Sequence, residues 1–393
     1  MAHHDGMLVR FGSNIQRMRF EELVERQMSF QVYPEARTMA AIGVTESVKF
    51  MINQLGWDDL DLTSLPTYRN LTLEFLSSFK YDPDYGYSIH KGLARFRIFG
   101  IPYRFSHQGL AELMRVPCSQ DAVTQIQEDE FMDYELQSFW GRISGDPNCE
   151  PEDRVSTQIH NPAIRYFHMI LAHTIFAKPE PDTSVSKQEL FIMFCAFQGR
   201  PVNIATFMLA NFDKISNNMN RSVNMGGFVT FLAKKIGLQT RLDQIVPFGT
   251  PYASGFRYMD VTFCFNHHLI GNLGPGPYQL LVNHTPVHDL TLPNPDRTNL
   301  HDKKNWLYDL EEEDENDPET PPFYYTPGAL SPIHPAESTT PPLVDHTNAI
   351  ANLETKLETL REDFTNFMNL FIQQSENFSN ELAAFKRAFN RSG

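Results

Sequence analysis

Cysteine is scarce in this chain. Four occur in 393 residues (Cys118, Cys149, Cys195 and Cys264), widely spaced and without a Cys-x2-Cys pair. That usage argues against a disulfide scaffold and for a reducing compartment. Long apolar runs are missing too: the longest, Leu190 to Phe197, is far too short to span a bilayer. No positively charged start followed by an apolar stretch opens the chain, so no secretory signal is read, and Met1 to Asp5 is too short to read as a tag. The expected location is intracellular, in cytoplasm or nucleus and not secreted, with no membrane partner. The sequons at Asn70, Asn220, Asn283, Asn377 and Asn390 are then chance matches.

Catalytic signatures are absent as well. No Walker loop, GxGxxG, GxSxG, HExxH or Asp-Thr/Ser-Gly motif occurs. Met225-Gly226-Gly227 precedes a helical pattern, but no Lys-Ser/Thr follows, so it reads as a tight turn with close helix packing. Tyr258-Met259-Asp260-Val261 lacks the second acid of a polymerase metal motif. Glu128, Asp129, Glu130 and Asp133 cluster as a solvated face does. Cys264-x2-His267 followed by His284-x3-His288 resembles zinc-ligand spacing. The Cys-x2-His half is atypical, however, and the segment between is rich in Gly and Pro, so surface histidines and a buried cysteine are expected. His160, His168 and His173 are expected in the core or at its rim. His168 and His173, five apart, do not share a face of an α-helix. No cofactor and no metal is expected, and the chain reads as non-enzymatic.

Apolar residues, by contrast, are plentiful at 41%, with 31 Phe, enough for a sizeable core. Net charge is −15, and Asp309 to Glu319 alone carries eight acids and no base. A net acidic chain is a poor non-specific binder of nucleic acid, because phosphate attraction has the wrong sign. Arg10, Arg17, Arg19 and Arg26 are interleaved with Glu21, Glu22 and Glu25 and read as a solvated helix face.

The pattern predicts a mainly α fold with a small antiparallel β-hairpin (α+β). Helices are expected over Asn14 to Gln27, with Met18, Leu23 and Val24 inward, over Thr38 to Leu55 with Gly56 as its stop, and over Tyr68 to Phe79 behind an Asn70 cap. Leu71, Phe75, Leu76 and Phe79 share one face of the last. Over Leu93 to Ser106 the period changes to two. Phe96, Ile98, Ile101, Tyr103 and Phe105 take one face of a hairpin, and Arg95, Arg97 and Arg104 take the other positions. Those arginines are the candidate nucleic-acid contacts.

Further helices are expected from Ser106 to Met114 and over Phe131 to Ile143. Asn161-Pro162 starts one that runs to Ala177, and the Ser186-x-x-Glu189 capping box starts another. Val202 to Ile215 and Phe228 to Ile236 complete the set. Tyr258 to Phe265 is expected as a late strand, and Leu269 to Pro295 as irregular chain. Residues 1–13 form a flexible start, 14–308 a helical globular domain and 309–347 an acidic, Pro-rich disordered linker.

Residues 348–393 carry the clearest pattern. Ile350, Leu353, Leu357, Leu360, Phe364, Phe367 and Phe371 alternate steps of three and four, and the series continues less cleanly through Phe378. These are a and d positions of a coiled coil, which needs a partner. Self-association is expected. In a parallel dimer Lys356 would meet Arg361, a like-charge pair that favours an antiparallel or higher-order assembly.

YRNLTLEFLSSF, ARFRIFGIPYRFSHQGLAELM, FWGRISG, HNPAIRYFHMILAHTIFA and MGGFVTFLAKKIGL follow one another in this chain. In that order they resemble the Athila-type first-open-reading-frame proteins of plant gypsy-type LTR retrotransposons, also called putative plant transposon proteins, over roughly Arg17 to Leu300. The Phe96 to Met114 piece also looks like the plant mobile domain. The resemblance implies a retrotransposon-derived protein and carries over no catalytic residue. Zinc-knuckle, protease, reverse-transcriptase and integrase motifs are missing. The expected role is assembly or scaffolding, gag-like or accessory, with nucleic-acid binding through the hairpin as the alternative.

Overall fold

Ser13 opens the first helix by accepting the Gln16 N–H, and α1 runs over Asn14–Val24. A computed structural model describes residues 7–86, 92–180, 182–218, 221–249 and 256–308 of the chain. The linker and the coiled-coil seam from Ile350 to Phe378 lie outside these residues. In α1, Leu23 is buried, but Met18 points outward and is 60% exposed, contrary to its expected inward place. Strand β1 (Val32–Pro34) follows. The helix expected over Thr38 to Leu55 is two helices, α2 (Ala36–Ala41) and α3 (Thr45–Gln54). Gly43 breaks it at φ +74°, where a Cβ would come within 2.6 Å of the Pro293 Cβ. Gly56, also at positive φ, ends α3 as expected.

Helix α4 (Arg69–Ser78) buries seven of its ten residues. Asn70 lies inside the first turn and is not its cap; the Asn70 side-chain amide donates to the Met7 carbonyl. Phe75 is fully buried, its ring 4.8 Å from Phe96, 5.3 Å from Phe79 and 6.1 Å from Phe212. Deleting such a ring costs about 3–5 kcal/mol. The chain then forms a three-stranded antiparallel sheet, β2 (Lys80–Asp82), β3 (Leu93–Ile98) and β4 (Ile101–Ser106), with β3 central. The hairpin pattern holds, and Phe96 faces Tyr103 across it. Ser106 caps α5 (His107–Met114) as predicted.

Asp129 caps α6 (Glu130–Ser144) by accepting the Met132 N–H, and with Glu128, Glu130 and Asp133 it is exposed, as expected of a solvated face. Asn161 and Pro162 start α7 (Pro162–Met169), every residue of which is buried. Its ladder widens to a π-helix over Ile170–Ile175. Ser186 and Glu189 form the predicted capping box of α8 (Lys187–Gln198). Then come α9 (Ile204–Asn217) and α10 (Gly226–Lys235), with Gly237 behind α10 at φ +82°.

After a short α11 (Gln239–Leu242), the expected late strand shrinks to β5 (Arg257–Met259), which pairs in parallel with β1. Asp260 then accepts the Phe263 N–H and starts α12 (Val261–Asn266), so the apolar run is helical. The stretch expected to be irregular holds a second hairpin, β6 (Tyr278–Val282) with β7 (Thr285–Leu292). A one-turn α13 (Pro295–Thr298) and buried Trp306 close the described chain. The described residues belong to one unit, mainly helical with small antiparallel sheets, in keeping with an α+β class.

Candidate nucleic-acid interface and buried charge cluster

The three predicted arginines end up in different places. Arg97 is turned back on its own hairpin. Its guanidinium donates to the Gly100 carbonyl, and its backbone N–H donates to Ser78 Oγ at 2.8 Å. The tip it serves needs that help, because Phe99 and Gly100 both take positive φ. Glu74, fully buried on α4, accepts the Gly100 N–H at 2.6 Å. Burial raises the Glu74 pKa, an effect only partly offset by the tip N–H groups and Arg97. Arg241 donates to the Phe99 carbonyl at 3.2 Å. Arg97 is therefore part of the hairpin's scaffolding.

Arg95 and Arg104 are directly opposite one another on β3 and β4, and Lys80 of β2 is opposite Arg95 on its other side. In-register partners across a sheet share a face. Three cations thus form one row across three strands, Lys80 and Arg104 exposed and Arg95 half-buried. The Arg95 guanidinium carbon is 5.5 Å from the centre of the Tyr85 ring, which is 52% exposed. Among the described residues, no carboxylate pairs with any of the three. Sequence reading missed Lys80; the signal was the Lys80-Tyr81-Asp82 alternation directly after the α4 stretch.

A second set of charges lies inside. Glu189 and His168 are fully buried, and the Lys178 side chain is 8% exposed. Lys178 Nζ donates to Glu189 Oε2 at 2.8 Å and to the Ser184 carbonyl at 2.8 Å. The Ser186 N–H and Oγ both reach the same carboxylate oxygen at 2.8 Å. His168 Nε2 lies 3.5 Å away, an ion-pair distance but not a well-formed hydrogen bond, so Lys178 is the stronger partner. Burial alone would raise the Glu189 pKa; His168 and Lys178 together outweigh it and hold the carboxyl well below its usual range. Glu189 was read as a capping-box residue, which it is, and its second role as counter-ion was not legible.

His173 lies on the π-turn that follows α7 and meets this cluster through the Lys178 backbone. Five residues are about 1.4 turns of α-helix, which would set His168 and His173 apart. The Phe176 N–H bonds the Leu171 carbonyl, five residues back, as in a π-turn, and the Lys178 N–H bonds that of Ala172 past Ala177 at positive φ, which closes the helix end. His173 Nδ1 is 3.3 Å from the Lys178 carbonyl, and its ring centre is 5.2 Å from that of His267. Burial, then the neighbouring His267, lowers the His173 pKa to about 3.

The residues with zinc-like spacing are dispersed. Cys264 and His267 are buried, and burial pushes the Cys264 thiol up to about 12. His267 stacks on Phe263 with ring centres 3.8 Å apart. His284 instead meets His268 at 4.4 Å, and the His288 side chain is 94% exposed beside Asp289. Arg165, fully buried, donates to the carbonyls of Leu281, His267 and His268, and so ties α7 to the end of α12 and to β6. Among the described residues, no group of three or more His, Cys, Asp or Glu is placed to hold a metal ion.

The predicted close packing at Gly226-Gly227 is present. A Cβ at Gly226 would overlap the Thr67 side chain, and one at Gly227 would overlap the Tyr33 hydroxyl and stand 3.0 Å from the Leu65 carbonyl. An open groove of about 1060 Å³ adjoins the sheet, lined by Tyr81, His107, Gln125, Gln188 and Phe207 among others. In it the Tyr81 hydroxyl and His107 Nε2 are 2.6 Å apart.

The model of the ATHILA ORF-1 family matches residues 22–200. That span takes in α4, the three-stranded sheet, the π-turn and α8, and ends before the MGGFVTFLAKKIGL segment. No curated protein and no solved structure matches the chain. That family match supports reading the chain as an Athila retrotransposon-related protein.

Proposed function

We propose that the chain is a non-enzymatic assembly protein of an Athila-type element that self-associates through residues 348–393, inside the cell. The observation that carries this reading is the seam Ile350, Leu353, Leu357, Leu360, Phe364, Phe367, Phe371 and Phe378, whose alternating steps of three and four leave an apolar stripe in need of a partner. The described body fits a supporting role. Glu189, His173, Arg165 and Cys264, all strongly displaced from their ordinary pKa, are buried, and Glu189 and Arg165 hold Lys178 and backbone carbonyls. Cys195 and Cys264 are free buried thiols, as suits a reducing compartment.

Light scattering on the full chain tests the proposal. The expected mass is a multiple of 45.2 kDa, falling to that value in the L357E/F364E double variant. A monodisperse monomer at micromolar concentration, unchanged by the double substitution, ends the assembly reading.

A further inference from the structure

The row Lys80–Arg95–Arg104 is hard to explain by folding. Like charges directly opposite one another across a sheet repel and disfavour the pairing, and here two such contacts share Arg95. Charges on edge strands discourage edge-to-edge aggregation, which would account for Lys80 on β2 and Arg104 on β4. It does not account for Arg95, which sits on the central strand, where that purpose is absent. Nor is the repulsion relieved locally. Asp82, the next residue on the same face of β2, is opposite Leu93, and no described carboxylate pairs with the row. An anion from outside would relieve it.

The chain's net charge does not forbid this. Of the net −15, residues 309–393 carry −11, from 16 acids and 5 bases, which leaves residues 1–308 at −4. A nearly balanced body can present a local basic stripe. The stripe is narrow: adjacent strands are about 4.8 Å apart, so three strands span roughly 10 Å. That width suits a single backbone better than the two strands of a duplex. Beside it, the half-exposed Tyr85 ring under Arg95 offers the aromatic face on which an unpaired base stacks. We infer that the outer face of the β2–β3–β4 sheet binds single-stranded nucleic acid, with Lys80, Arg95 and Arg104 on the phosphates and Tyr85 against a base.

Fluorescence anisotropy of the full chain with labelled 12-nucleotide single-stranded RNA, the matching DNA, the 12-base-pair duplex and labelled polyglutamate tests this. Binding to one or both single strands is expected, at least fivefold tighter than to the duplex or to polyglutamate. Three phosphate contacts predict a slope of about −2 in log affinity against log salt, or a loss of about twentyfold between 50 and 200 mM. Arg95→Glu turns the row into alternating charges; it should lower the affinity at least tenfold while raising the urea midpoint of unfolding, so the loss cannot be blamed on a damaged fold. Tyr85→Ala should weaken single-strand binding and leave the salt slope unchanged. Absence of binding at 50 mM salt, equal binding by R95E, or binding of duplex or polyglutamate as tight as that of single strands would each overturn the inference. RNA against DNA preference identifies which single strand the face takes.

Discussion

Two charge clusters in this protein follow opposite rules. The Lys178–Glu189–His168 set is buried, and its strongest contact joins opposite charges. The Lys80–Arg95–Arg104 set is at the surface and of one sign, with the Tyr85 ring beside Arg95. A buried charge without a partner costs too much to persist, whereas water screens a surface row at little cost. The inner cluster is thus a matter of stability and says little about ligands. The outer row carries a small repulsive cost, so stability does not account for it.

The largest expected effect is at the inner cluster. Glu189→Ala leaves Lys178 buried and unpaired and should cost about 3–5 kcal/mol in urea unfolding. Replacing both partners together, as K178M/E189L, should cost less than E189A; a double variant worse than the single would mean that the loop around Ser184 and Ser186 depends on the carboxylate rather than on charge balance.

Next comes acid. The fold lowers the His173 pKa from 6.5 to about 3 and that of His267 to about 4, in both cases chiefly by burial. Between those values and 6.5 the unfolded chain binds more protons, so stability is full above 6.5 and is lost as pH falls. A loss on the order of 3 kcal/mol from each histidine is expected between pH 6.5 and 4, and His173→Gln should remove about half of it. Glu189 responds only at lower pH, since its depressed pKa keeps its contribution until the pH falls below the usual carboxylate range.

The smallest effect is at the outer row. R95E should stabilise the fold by about 0.5–1 kcal/mol at low salt, less at high salt. A destabilising R95E would break the contrast between the clusters, because it would make the row a folding element after all.

Local signals were legible in the sequence. Ser106, Asn161-Pro162 and Ser186-x-x-Glu189 each satisfy helix-end N–H groups with a neighbour three residues away or fewer, so nothing distant is needed to read them. The hairpin was legible because its period of two survives on both strands. Most of what failed depended on distant chain. The break at Gly43 is set by Pro293, some 250 residues on. The β1–β5 pairing joins Val32 to Arg257. Arg97 was grouped with Arg95 by alternation, but the positive-φ tip at Phe99-Gly100 claims its guanidinium. For the candidate interface, two of its three cations came from the pattern, while Lys80 was placed by strand register and Tyr85 by its contact with Arg95.

The contact at Gly227 bears on how this lineage can change. Its missing Cβ is what lets the Tyr33 hydroxyl and the Leu65 carbonyl close over α10, so even alanine there forces one of them to move. Tyr33 lies on β1, whose only described pairing partner is β5, and Thr67, beneath Gly226, directly precedes α4 by one residue more. Two adjacent codons therefore hold the early and late parts of the body together. A variant in which either glycine has become a larger residue loses this packing, whatever else of the chain is preserved.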